Sequence, residues 1–307
     1  MKIFMTGGTG FIGTTLTERL TNMGHQVTLL TRTVRSGRSL PDGATFLEGN
    51  PVEQGMWQER VKDHEVIINL AGASIFTRWT KDAKKEMRES RIRTTNNLVE
   101  AISVPNTKVR LVVSTSAVGY YGFHGDEDLD EASPPGEDFL AQLAREWESS
   151  ALRAREADVD VVLMRFGVVL GKKGGALGMM VPVFKKYLGS PLGSGKQWFS
   201  WIHEEDLANI HLFLLDQKRI SGPVNCTAPN PVRNGALAKV LGEVLSKPTF
   251  MPAVPGFVVK MIMGEFGSLL LNGQRVLPKR LLSMGFRFRY PEIKKALQSV
   301  LGAVESM

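Results

Sequence analysis

Gly7-Gly8-Thr9-Gly10-Phe11-Ile12-Gly13 sets three glycines, Gly7, Gly10 and Gly13, three residues apart, and the chemistry of that spacing is capture of a phosphate group. Glycines let backbone N–H groups approach an anion that a side chain would hold off, and a helix beginning at the turn adds its positive end. A tight turn that wants glycine for its conformation accounts for one of the three, not for three in register. About twenty residues on, an Asp or Glu would grip a ribose 2′-hydroxyl. The chain instead reads Thr31-Arg32-Thr33-Val34-Arg35-Ser36-Gly37-Arg38. Guanidinium groups there suit a 2′-phosphate, which they bind through paired charge-assisted hydrogen bonds. The ligand expected is NADP, with Arg32 as first contact and Arg35 or Arg38 as helper. A solvated basic loop is the competing reading.

Positioning such a turn takes a strand before it and a helix after it. Lys2-Ile3-Phe4-Met5-Thr6 reads as a short buried strand, and Phe11, Ile12, Leu16 and Leu20 mark one face of a helix that ends near Gly24. Further strands are expected at 26–31, 44–48, 65–70, 110–115 and 160–166, with long helices at 81–103 and 138–157. The continuous apolar runs Val66-Ile67-Ile68 and Leu111-Val112-Val113 suit strands buried on both faces. The fold class is therefore α/β, a doubly wound parallel sheet with helices on both faces. Past about residue 170 the pattern breaks into glycine- and proline-rich connections at 171–178, 189–195 and 229–235. The division expected is a cofactor-binding domain over 1–170, its sheet completed by segments up to about 230, and a smaller, irregular substrate-binding and helical region over 171–307.

Composition narrows the class. The 307 residues are 43% hydrophobic and 22% charged, ample for a large core. No apolar run is long enough to span a bilayer, and the one cysteine, Cys226, excludes an internal disulfide and fits a reducing, cytoplasmic compartment. The five histidines show no metal-ligand spacing, so no metal is expected. The net charge is +7, and residues 236–307 carry ten Lys or Arg against four Glu. Such a field would steer an anionic substrate; an ordinary basic surface explains it as well. No nucleic-acid-binding motif is present, and the expected state is monomer or homodimer.

The glycine turn, Asn69-Leu70-Ala71-Gly72 and Ser114-Thr115-Ser116-Ala117-Val118-Gly119-Tyr120-Tyr121-Gly122 together resemble the extended short-chain dehydrogenase/reductase superfamily, in its NAD-dependent epimerase/dehydratase-like branch. The order and spacing cover the whole chain. Arg78-Trp79, Ser90-Arg91, Ser200-Trp201-Ile202-His203, Pro231-Val232-Arg233-Asn234 and the run from Gly273 to Arg280 are similar to the YfcH-type epimerase-family proteins, associated with nucleotide sugars. The resemblance implies a Rossmann-type sheet. It places Gly7, Thr9, Gly10, Phe11, Ile12, Gly13, Leu70, Ala71, Gly72, Ser114, Arg165, Gly167 and Val168 at the cofactor. Ser116 matches the serine that hydrogen-bonds the reacting carbonyl or hydroxyl.

One departure from the family pattern bears on chemistry. The superfamily carries Tyr and Lys four residues apart on the next helix as its proton-exchanging pair. Here that helix reads Phe139-Leu140-Ala141-Gln142-Leu143-Ala144-Arg145, with Phe139 and Leu143 in the two places. Tyr120 or Tyr121, just beyond the Ser116 strand, could exchange the proton instead, or both could pack the cleft wall. His203 is a further candidate. Trp79, Arg91, Trp201, His203, Arg233 and Arg275 combine flat surfaces with positive charge and suit an anionic or nucleotide-linked small molecule. Two functions follow: reversible hydride transfer in an epimerase or related oxidoreductase, or a non-catalytic NADP(H)-binding sensor or scaffold.

Overall fold

A computed structural model describes residues 1–34, 39–172 and 174–302. Seven strands form one parallel sheet: β1 (Lys2–Thr6), β2 (Gln26–Thr31), β3 (Ala44–Glu48), β4 (Val66–Asn69), β5 (Leu111–Ala117), β6 (Asp160–Phe166) and β7 (Gly222–Cys226). Their spatial order is β7-β6-β5-β4-β1-β2-β3. The order reverses beside β1, and in such sheets the crevice at that switch, outside the carboxyl ends of the strands, is where ligands bind. The glycine turn follows β1 and so lies at that crevice.

Both faces of the sheet are covered, as the apolar runs require. Helices α1 (Phe11–Asn22) and α4 (Glu204–Leu215) pack over one face, where Leu16, Leu20, Leu207, Ile210 and Leu214 meet Ile3, Met5, Ile68 and Val113. Helices α2 (Lys81–Ile102) and α3 (Phe139–Leu152) cover the other, with Leu98, Val99, Ile102 and Ala151 against Phe4, Ile67, Val112 and Val161. The helix expected over 138–157 changes to a 3₁₀ turn, Arg153–Ala157, after Leu152. A third core, outside the sheet, gathers Leu170, Leu177, Phe184, Trp201, Leu237, Leu241 and Leu297 from the C-terminal region. No described helix is long and apolar enough to cross a membrane.

The C-terminal region is fastened to the sheet through α4. Asp206 is fully buried, and its two carboxylate oxygens accept the backbone N–H groups of Arg289 and Tyr290 at 2.8 and 2.9 Å. His203 caps the same helix: its Nδ1 accepts from Glu205 N at 3.1 Å, while the ring stacks on Tyr290 at 3.8 Å. Farther along α4, His211 is buried with its Nδ1 on Leu207 O at 2.8 Å. Burial pushes both imidazoles down to about 4, helped at His203 by the charge of Arg289.

Both histidines are thus neutral when folded, while an unfolded chain binds their protons near pH 6.5. Their contribution to stability is complete above that pH and drains away as the pH falls toward 4. Urea unfolding at pH 7.0 and 4.5 should show a loss on the order of 2 kcal/mol for each imidazole. The loss should shrink by one imidazole's share in His211→Asn; an unchanged pH dependence in that variant contradicts the assignment.

Candidate cofactor site and substrate cleft

Each glycine of the turn has its own steric reason. Gly7 has φ +69°, and a Cβ on it would stand 2.7 Å from the carbonyl carbon of Leu70 and 2.9 Å from Ala71 N. A methyl at Gly13 would overlap Gly7 O, so only glycine lets α1 rest on the turn. Gly10 is the N-cap of α1 and donates its N–H to Gly7 O at 3.0 Å. Among the described residues no side chain caps this helix, and its first turn has no acid. The Phe11 ring lies against the glycines at 171, 174 and 175, and Ile12 packs on the main core.

Behind the turn, Asn69 is buried and accepts from Thr6 Oγ1 at 2.7 Å while donating to Thr95 Oγ1 at 2.9 Å. The bonds tie β1, β4 and α2 together and set the backbone of Leu70, Ala71 and Gly72 beside Gly7. Gly72 in turn abuts Arg91 of α2, whose guanidinium carbon would sit 2.9 Å from a Cβ there. Arg91 donates to Met87 O at 3.0 Å and lies 5.1 Å from the Trp147 ring, with no carboxylate partner among the described residues. Burial pushes its pKa down to about 10, the mark of a cation lacking its counter-ion. Arg32 follows β2 directly and is exposed. Arg35 and Arg38 lie outside the described residues.

Within β5, Ser114 Oγ and Thr115 Oγ1 are buried on opposite faces of the sheet without a hydrogen-bond partner among the described residues. A helix start without a side-chain cap and a guanidinium without a carboxylate partner among the described residues, each beside the loop that abuts the glycine turn, are what a phosphate-bearing ligand would satisfy. Gly167 and Val168 continue this edge from β6, donating to Cys226 O at 3.0 Å and Ser200 O at 2.8 Å.

Ser116 and Tyr121 sit in a different environment from the one their sequence motif suggests. Arg165 and Glu148 form a buried two-pronged ion pair, Nε to Oε1 and Nη2 to Oε2, both at 2.8 Å. Ser116 Oγ donates to Glu148 Oε1 at 2.7 Å, Arg165 Nη1 donates to Tyr121 OH at 2.9 Å, and Tyr121 OH donates to Asn225 Oδ1 at 2.6 Å. Burial opposes the Arg165 charge, but the Glu148 carboxylate outweighs it and raises the pKa. Burial likewise pushes Tyr121 up to about 12. Ser116, Tyr121 and Arg165, read from the sequence as site groups, have their polar atoms engaged inside the protein, since a buried Glu–Arg pair needs its remaining bonds met. Tyr120 differs: half-buried, with the Arg165 guanidinium 3.4 Å over its ring, its hydroxyl has no partner among the described residues.

The expected substrate residues divide. Trp201 is fully buried with Nε1 donating to Asn230 O at 3.1 Å, and His203 is buried as a helix cap, so neither reaches a cleft; the C-terminal core claims both. Trp79 is half-buried, edge-on to Phe139 at 5.4 Å, and Leu143 is buried. Neither Phe139 nor Leu143 carries a group that could exchange a proton. Arg233 and Arg275 both stand against the Trp198 indole, half exposed. Glu148, Asn225 and Trp198 escaped the sequence reading. A Glu on the otherwise apolar face of α3 was the available signal for the first; nothing local marks the others. Among the described residues no three potential ligands gather for a metal.

Comparison with known proteins bears on the whole chain. The NAD dependent epimerase/dehydratase family matches residues 3–226, and a domain of unknown function, DUF1731, matches 254–300. An Arabidopsis thaliana protein, the chloroplastic homolog of epimerase family protein SDR39U1, is 44% identical over 303 residues, covering 98% of this chain and 87% of that one. The crystal structure of human epimerase family protein SDR39U1 with NADPH superposes with a TM-score of 0.86 at 34% identity, over 98% of this chain and 99% of that one. A nucleoside-diphosphate sugar epimerase from Corynebacterium glutamicum reaches 0.79 at 32% identity, over 98% of this chain and 58% of that one. With its parallel sheet, glycine turn and these relatives together, the chain belongs to the NAD-dependent epimerase/dehydratase family of the extended short-chain dehydrogenases/reductases.

Proposed function

We propose that this protein binds NADP(H) at the glycine turn and serves reversible hydride transfer on a small hydroxyl or carbonyl compound of the anionic or nucleotide-linked class, as in epimerisation. The observation that carries the reading is the meeting of the turn and Arg91 on one loop: Gly7 abuts Leu70 and Ala71, and the next residue, Gly72, abuts a guanidinium with no carboxylate partner among the described residues. Arg91, expected at the substrate, is assigned here to an anionic group of the dinucleotide. Arg32 takes the 2′-phosphate, with Arg35 beside it in sequence, and Ser114 and Val168 line the edge. The human relative crystallised with NADPH supports this assignment, and the Corynebacterium epimerase supports a nucleotide-sugar class. The Cys226 thiol is fully buried and its pKa raised by burial, so it takes no part in the chemistry.

When bound, NADP(H) supplies and accepts the hydride. The protein must orient the substrate and exchange its hydroxyl proton. We assign that exchange to Tyr120, in the turn just past β5, whose hydroxyl has no partner among the described residues, while Ser116, Tyr121, Arg165 and Glu148 form the buried network beside it. A second reading, a sensor or scaffold that binds NADP(H) without turnover, is favoured by one specific feature: Phe139, packed on Trp79, and Leu143 stand where a Tyr/Lys pair would be.

Titration of protein with NADPH, followed by nucleotide fluorescence, should show Arg91→Met binding about ten- to a hundredfold more weakly. Unchanged affinity removes Arg91 from the cofactor. For the chemistry, a panel of nucleotide sugars with NADP, read by product formation, distinguishes the two functions. Tyr120→Phe should lower turnover about a hundredfold or more with NADPH binding intact. Full activity in that variant eliminates the phenol, and no turnover of any compound by the wild type favours the sensor.

A further inference from the structure

Trp198, Arg233 and Arg275 combine a flat ring with two permanent charges, and in this structure both charges are already answered. Trp198 lies on a short strand, Trp198–Phe199, antiparallel to Val232–Arg233. The guanidinium carbons of Arg233 and Arg275 stand 4.1 and 4.9 Å from the centre of its ring. Two neighbouring guanidiniums on an indole repel each other, and the arrangement calls for anions. They come from the loop that follows Gly122. Asp126 Oδ1 accepts from Trp198 Nε1 at 2.8 Å and Arg233 Nη2 at 2.5 Å, and Asp128 Oδ1 lies 3.0 Å from Arg275 Nε.

The two carboxylates are held differently. Asp128 is in register with Arg275 in the pairing of Asp128–Leu129 with Arg275–Val276, and His124 N donates to Gly273 O at 3.0 Å, so both flanks of the loop are fixed by backbone bonds. Residues 125–127 between them form the tip. The Asp126 side chain there is 72% exposed, whereas its partner Arg233 is 37% exposed. An ion pair so open to water is weakly held and readily exchanged. The hydrogen bond from Trp198, then the Arg233 charge, keep the Asp126 carboxyl below its usual range, so it is an anion at neutral pH.

We propose that Asp126 is a built-in competitor: it occupies an anion site made by Trp198, Arg233 and Arg275, and a nucleoside diphosphate displaces it, its phosphates replacing the carboxylate and its base stacking on the half-buried indole. The inference rests on the reading that Arg233 and Arg275 face the substrate. It adds that the loop tip sets the affinity of that site. A tip that merely braced the loop would act in the opposite direction, since removing a brace disorders the site it supports.

The experiment is calorimetric titration of the full-length protein with UDP and, separately, with inorganic pyrophosphate. Asp126→Ala should bind UDP about three- to tenfold more tightly than the wild type, the size expected for losing an exposed competing ion pair. Arg233→Met should bind UDP more weakly than both, and NADPH affinity should be unchanged in Asp126→Ala, which also establishes that the variant is folded. Tightening for both probes supports the phosphates as the groups that displace the carboxylate; tightening for UDP with pyrophosphate unchanged contradicts it. Equal or weaker UDP binding by Asp126→Ala overturns the proposal, as does the absence of diphosphate binding in both proteins. Failure of the wild type to bind NADPH would instead contradict the cofactor reading and leave the UDP comparison standing.

Discussion

Close approach of the Gly7 backbone to Leu70 and Ala71 is the constraint on which this cofactor end depends. At 2.7 Å from the Leu70 carbonyl carbon there is no room for a Cβ, so the ends of β1 and β4 meet backbone to backbone. The meeting also needs Asn69, which bridges Thr6 and Thr95 and so sets α2 at a fixed height over the sheet. Arg91 reaches Gly72 only because α2 is held there. One steric allowance therefore carries a chain of placements, from a glycine to a helix to a desolvated cation.

The same edge of the sheet is locked from the other side by Arg165 and Glu148. Their pair joins β6 to α3, and its spare bonds recruit Ser116 from β5, Tyr121 from the following turn and Asn225 from β7. Burying two charges is costly, and the arrangement is sound because nearly every polar atom is answered; removing either partner would cost about 3–5 kcal/mol. Rigidity has a chemical consequence. A phenol buried and bonded at both ends, as Tyr121 is, gives up its proton reluctantly, which leaves Tyr120, stacked on the outer side of the guanidinium, as the accessible one.

Much of this could be read from residue order, and the exceptions share a cause. The apolar runs at Val66-Ile67-Ile68 and Leu111-Val112-Val113 announce strands buried on both faces because a parallel sheet covered by helices leaves no polar side. The turn is legible because steric exclusion is a local property of three glycines. The partners of Ser116 and Tyr121 were not legible, because what engages them is distant in sequence: Glu148 is 32 residues from Ser116, and Asn225 is 104 from Tyr121. Trp201 and His203 likewise carry the look of cleft residues, yet the C-terminal core and the cap of α4 absorb them. Arg91 stood out as a charge, but that it faces the cofactor loop follows only from the packing of α2. Arg35 and Arg38, expected beside the 2′-phosphate, lie outside the described residues.

An epimerase-family cofactor cradle tuned for the phosphorylated dinucleotide is the centre of this account, and one comparison tests it most directly: calorimetric affinities of the wild-type protein for NADPH and NADH under identical salt. A guanidinium at the end of β2 in place of an acid predicts NADPH tighter by about tenfold or more, with the difference largely erased in Arg32→Ala. NADH binding as tightly as NADPH, or tighter, would contradict it.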